Sequence, residues 1–66
     1  MITKIGIVSG EILGLLDQRG VLVLSEIKTQ LEESHDLILM SLGWLAREGH
    51  VILEDLGNDY KITLRF

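Results

Sequence analysis

Ser34-His35-Asp36-Leu37-Ile38-Leu39-Met40-Ser41-Leu42-Gly43-Trp44-Leu45-Ala46-Arg47-Glu48-Gly49, continuing into His50-Val51-Ile52-Leu53, is where the apolar spacing changes. Before Arg47 the apolar residues recur at helical spacing, and from His50 the period is two, as in a strand. Ser34 offers a hydroxyl to cap the helix, Asp36 places an acid in its first turn, and Gly49 stands where a helix closes after Arg47-Glu48. Beyond it, Val51 and Leu53, then Tyr60, Ile62, Leu64 and Phe66, alternate with Lys61, Thr63 and Arg65. Gly57-Asn58-Asp59 between the two runs is a turn that tolerates positive φ. The stretch therefore predicts a helix running into a C-terminal β-hairpin, with Phe66 covering its open apolar end.

Upstream, Ile5, Val8, Ile12, Leu15 and Leu16 predict a first helix over roughly residues 6–18, stopped by Gly20; a shorter one capped by Ser9 and starting at Gly10 is the alternative. Val21 to Leu24 is a short β-branched run that suits a brief strand. Ser25-Glu26 opens a second helix that carries Ile27 and Leu31 and ends near Glu33. Helix, short strand, helix, helix and hairpin, in that order, describe an α+β winged helix-turn-helix in which the short strand joins the hairpin in a small sheet.

Leu42-Gly43-Trp44-Leu45-Ala46-Arg47-Glu48-Gly49 followed by an alternating hairpin resembles a family of short prokaryotic winged helix-turn-helix proteins of uncharacterised function. The likeness extends upstream through Ile5-Gly6, Gly10, Gly20 and Glu26-Ile27. It implies the fold and a nominal link to transcription regulation, and it brings no catalytic residues to carry over. It also implies an apolar residue just before the third helix, where this chain has Glu33, so that Leu31 or Leu37 must cover that part of the core.

With 66 residues the chain reads as one domain, residues 1–66, and a domain of that size buries only about 60% of the surface its unfolded chain exposes. Yet 47% of it is apolar, with one Phe, one Tyr and one Trp, so the interior must be built from Leu, Ile and Val and some of these must stay exposed or meet another chain. A homodimer is the simplest resolution. There is no Cys to supply a disulfide or a thiolate metal site. Neither an apolar run long enough to span a membrane nor a leader-like N-terminus is present, so the chain is expected to be cytoplasmic and unprocessed.

The net charge of −4 is the wrong sign for an unassisted polyanion binder. Residues 26–50 hold two cations, Lys28 and Arg47, against five acids, Glu26, Glu32, Glu33, Asp36 and Glu48. A winged helix that reads DNA presents donors from its third helix to base edges and cations from its wing to phosphates. At about 100° per residue, Leu37, Ile38, Met40, Leu42, Trp44 and Leu45 fall on one apolar arc, which places Trp44 in the core or at its edge. His35, Asp36, Leu39, Gly43, Ala46 and Arg47 fall opposite. DNA contacts would then rest on His35, Arg47, Lys61 and Arg65, a thin set, with Asp36 repelling phosphate. Protein association suits the pattern better: Leu39, Gly43 and Ala46 make a small, nearly uncharged stripe that admits a close neighbour. Gly6, Gly10 and Gly14 make a second ridge along helix 1, which fits either a dimer seam or packing inside the chain.

No cofactor, metal or catalytic site is expected. Ser34-His35-Asp36 holds the residue types of a hydrolase triad, but adjacent residues diverge, and capping accounts for Ser34 and Asp36. His35 and His50 with Glu32, Glu33 and Glu48 show no paired-ligand spacing and read as solvated surface. The glycines of helix 1 do not follow a strand in the spacing a phosphate-binding loop needs.

Overall fold

The computed structural model describes residues 1–65, in the order α1 (Ile2–Arg19), β1 (Val21–Val23), α2 (Leu24–Gln30), α3 (His35–Arg47), β2 (Val51–Asp55) and β3 (Tyr60–Leu64). The three strands form one antiparallel sheet with β3 in the centre, β1 on one side and β2 on the other. Leu22 pairs with Ile62, and Ile62 with Leu53, on one sheet face, where Leu22 and Ile62 are buried and Leu53 stays exposed at the outer strand, while Val21, Thr63 and Ile52 form a row on the other. This is the winged helix-turn-helix architecture that the element order predicted. The expected role of Phe66 lies outside the described residues.

The core gathers Val8, Ile12 and Leu16 of α1, Ile27 of α2, Leu37, Ile38, Leu42 and Leu45 of α3, and Leu22, Leu24, Val51 and Ile62. Two glycines end helices where their positive φ is required: Gly20 at 80° after α1, and Gly49 at 79° after α3. Their neighbours fasten the sheet, since Leu64 N–H donates to Gly20 O at 3.1 Å and Arg65 N–H to His50 O at 2.9 Å.

Four details depart from the sequence reading. First, α1 begins at Ile2, with Ile5 N–H bonded to Met1 O at 2.9 Å. Ile2 is 86% exposed, so no buried position marked that first turn in the apolar pattern. Second, Ser9 caps nothing: it is buried mid-helix and donates to Ser41 O at 3.5 Å. Third, α2 takes in Leu24 and stops at Gln30. Glu26 reaches back to Val23 N–H at 3.0 Å to hold its start. Leu31 is extended and partly buried against the core, which breaks the helix before Glu32 and Glu33.

The fourth correction matters most. Met40 and Trp44 do not face the core but stand 42% and 50% exposed, and the buried side of α3 is Leu37, Ile38, Ser41, Leu42 and Leu45. Ser41 takes the central place because α1 crosses there. Its hydroxyl donates to Leu37 O at 2.8 Å, with Ile5 O of α1 at 3.5 Å, and it is wholly buried. A larger side chain would hold the helices apart. Leu37 is buried and Leu31 half-buried, as the absence of an apolar residue at position 33 demands, and Glu33 pairs with Lys4 at 3.8 Å.

Candidate interaction surface

The side of α3 that turns away from the core carries Asp36, Leu39, Met40, Gly43, Trp44 and Arg47, all exposed. Leu39 and Gly43 lie where the sequence placed them. Ala46 is half-buried against the core and belongs to that surface only at its margin. Met40 and Trp44 join it instead, so the exposed face is more apolar than expected. A wheel that assigns every large apolar residue to the interior hides them, although a 66-residue chain lacks the interior to hold them all.

Trp44 and Met40 also form one wall of an open groove of about 670 Å³, whose other wall is Ile2, Ile5 and Gly6 of α1. No charged side chain lines it. The glycine ridge of α1 is exposed: a Cβ at Gly6, Gly10 or Gly14 would meet nothing within 4 Å. Packing inside the chain therefore does not account for these glycines. Gly6 contributes to the groove, while Gly10 and Gly14 are not among its lining residues.

The residues proposed for DNA contact are scattered by comparison. Arg47 closes the exposed side of α3. Lys61 pairs across the hairpin with Glu54 at 3.4 Å, so an acid stands beside it. Arg65 lies beyond β3, on the strand end pinned to His50. His35 sits in a shallow cleft between α2, the start of α3 and the wing, with Lys28, Asn58, Asp59 and Tyr60. The nearby Ser34 hydroxyl accepts Leu37 N–H at 3.2 Å and caps α3.

The wing turn is acidic and ordered by its own acids. Asp55 accepts Gly57 N–H at 2.8 Å. Asp59 accepts the Ser25 hydroxyl at 2.6 Å, Ser25 N–H at 3.2 Å and Tyr60 N–H at 2.8 Å. The Ser25 hydroxyl first, then these N–H groups and the charge of Lys28, hold the Asp59 carboxyl below the usual carboxylate range. Asp59 thus caps α2 from 34 residues away, a contact with no signal in the local sequence.

Among the described residues, no cluster of three or more His, Cys, Asp and Glu is placed to hold a metal ion, and no helix is long and apolar enough to cross a membrane. No curated protein and no solved structure matches the chain. A family model described as winged helix-turn-helix domain (DUF2582) matches residues 1–64, and the chain belongs to that winged helix-turn-helix family.

Proposed function

We propose that this winged helix works as a non-enzymatic module that binds protein, with weak or no grip on duplex DNA by itself. The observation that carries this reading is the exposed face of α3. In a DNA-reading winged helix that face must offer hydrogen-bond donors and cations to bases and phosphates. Here it offers Leu39, Met40, Gly43 and Trp44, with one acid and one base at its ends. Large exposed apolar side chains grouped on one helix are a mark of protein contact, and Trp is among the residues enriched as interface anchors.

The charge balance points the same way. Non-specific affinity for duplex comes mainly from cations that release condensed counterions. Arg47 on α3 faces that task with Asp36 at the other end of the same face, and the wing brings Lys61 already paired to Glu54. The competing reading, a transcription regulator that uses α3 and the wing on DNA, rests on the fold and on His35, Arg47, Lys61 and Arg65.

Titration of labelled random duplex with the protein, at low and at physiological salt, separates the two. No binding even at low salt is the expected result. Micromolar binding that weakens steeply as salt rises would overturn the proposal, because that slope counts phosphate contacts.

A further inference from the structure

The exposed face of α3 has a pattern that is its own complement. Asp36 in the first turn and Arg47 at the last residue are the charged residues on it, and neither makes an ion pair among the described residues. Between them stand Met40, a long flexible side chain, and Gly43, where a Cβ would meet open space. Leu39 and Trp44 flank this line on opposite sides, since at about 100° per residue they point roughly 140° apart.

We infer that this surface binds a second copy of the chain, α3 against α3, antiparallel about a two-fold axis that passes between residues 41 and 42. The inference rests on the protein-binding reading above and names its partner. Such an axis sets Asp36 opposite Arg47 of the second copy, and Arg47 opposite Asp36 of that copy. It sets each Met40 against the other chain's Gly43, a protrusion over an open place. Leu39 meets Leu39 on one flank. On the other, Trp44 of the second copy passes Met40 and reaches the mouth of the groove formed by Ile2, Ile5, Gly6, Met40 and Trp44. A parallel pairing would set acid on acid and base on base, so charge selects the antiparallel one.

Area supports the use of the groove as well as the helix face. A lasting interface buries roughly 800 Å² per partner, and this chain exposes 4384 Å² in all. One helix face about 20 Å long is too small to reach that figure. Two Trp44 side chains, each leaving solvent for the other chain's groove, extend the contact over α1. The groove has no charged side chain and little polar surface to orient a small molecule, whereas an indole ring matches its apolar walls.

The test uses the full chain and three variants: Asp36→Arg, Arg47→Asp, and the two together. Both positions are exposed, so the variants fold; circular dichroism checks this. Sedimentation equilibrium reads the dimer dissociation constant, and emission of Trp44, the one tryptophan, should shift to the blue as concentration rises. Exposed ion pairs are worth a fraction of a kcal/mol each, but turning attraction to repulsion at two symmetry-related places should weaken the dimer about tenfold in either single variant. The double variant should return to within about threefold of the parent. Both substitutions oppose the α3 dipole, so damage to the helix would add in the double variant and only renewed pairing would rescue it. A chain that stays monomeric at millimolar concentration overturns the inference, as does a dimer indifferent to the single changes or not restored by the double one. The swap is read on protein alone, so its failure leaves the broader reading untouched, and tight duplex binding sinks that reading whatever the swap shows.

Discussion

The α1–α3 pair and the β-hairpin share one core but take part in it unequally. α1 and α3 commit seven apolar side chains to full burial, from Val8 and Ile12 to Leu42 and Leu45. The hairpin commits Val51 and Ile62; Leu53, though its partner Ile62 is buried, stands 42% exposed, and β2 is exposed from Ile52 onward. The helical pair is therefore a platform fixed by apolar packing. The outer wing is placed more by hydrogen bonds, those of the sheet ladder and those of Asp59 to Ser25. A surface meant to hold a partner in fixed geometry gains from the first kind of support, and the candidate surface lies on the platform.

The largest effect that tests this difference comes from matched truncations. Ile12→Ala removes a side chain with no solvent exposure, which should cost about 2–5 kcal/mol. A domain of this length has roughly 3–10 kcal/mol of stability in all, so the variant should lose a large share of it. Leu53→Ala in the wing should cost about 1 kcal/mol or less, because nearly half of the side chain is already solvated. Urea midpoints of the two variants check this, and equal losses would mean that the wing is held by packing after all.

A smaller effect, of opposite sign, concerns α1 itself. Gly14 lies inside the helix without positive φ, and a Cβ there meets open space. Gly14→Ala should therefore stabilise the chain by about 1 kcal/mol, or a melting temperature about 4–8 °C higher for a domain this small. Gly20→Ala, at φ 80°, should lower it instead, since an L side chain strains the left-handed conformation. A fall in melting temperature for Gly14→Ala would show that the ridge contacts something that the isolated chain does not contain. Dimer strength in that variant then becomes the measurement that sharpens the point, because Gly14 lies outside the α3 seam.

What the sequence disclosed and what it hid divide along the same line. The stop glycines, the Ser34 cap and the change from helical to alternating period at His50 are local signals, each carried by residues within one turn of the feature they mark. They were enough for the fold. The packing of α1 on α3 is not local: Ser9 and Ser41 meet across 32 residues, and nothing near either serine says that small polar side chains will sit at the crossing. The helical wheel drew an apolar arc of about 200° on α3, while the buried part spans about 140°, and the excess was Met40 and Trp44. That misplacement hid two of the six residues of the candidate surface. Leu39, Gly43 and the thinness of the DNA-contact set were legible because they depend on residue type alone. The groove was not, because its two walls come from α1 and α3 and only the crossing brings Ile2, Ile5 and Gly6 to Trp44.

The least perturbing test is on the wing's tether. Asp59 lies at the surface, half-buried, so its removal should lower the melting temperature modestly, by loosening the wing turn from the start of α2 and leaving Ser25 N–H without its cap. The pH dependence distinguishes this from ordinary damage. Because the folded state holds the Asp59 carboxyl below its unfolded value, the native state releases that proton more readily, and the charged form contributes stability at neutral pH. The contribution is full above the ordinary carboxylate range near about 4 and is lost as the pH falls through the lower folded value. Asp59→Asn keeps one carbonyl acceptor but no charge and cannot lose a proton. Melting curves of the parent and this variant should therefore differ at pH 7 and converge as acid titrates the parent's carboxylate. A gap of constant size down to pH 2 would mean that Asp59 acts through shape alone and that the charge of its carboxylate contributes nothing to the wing's tether.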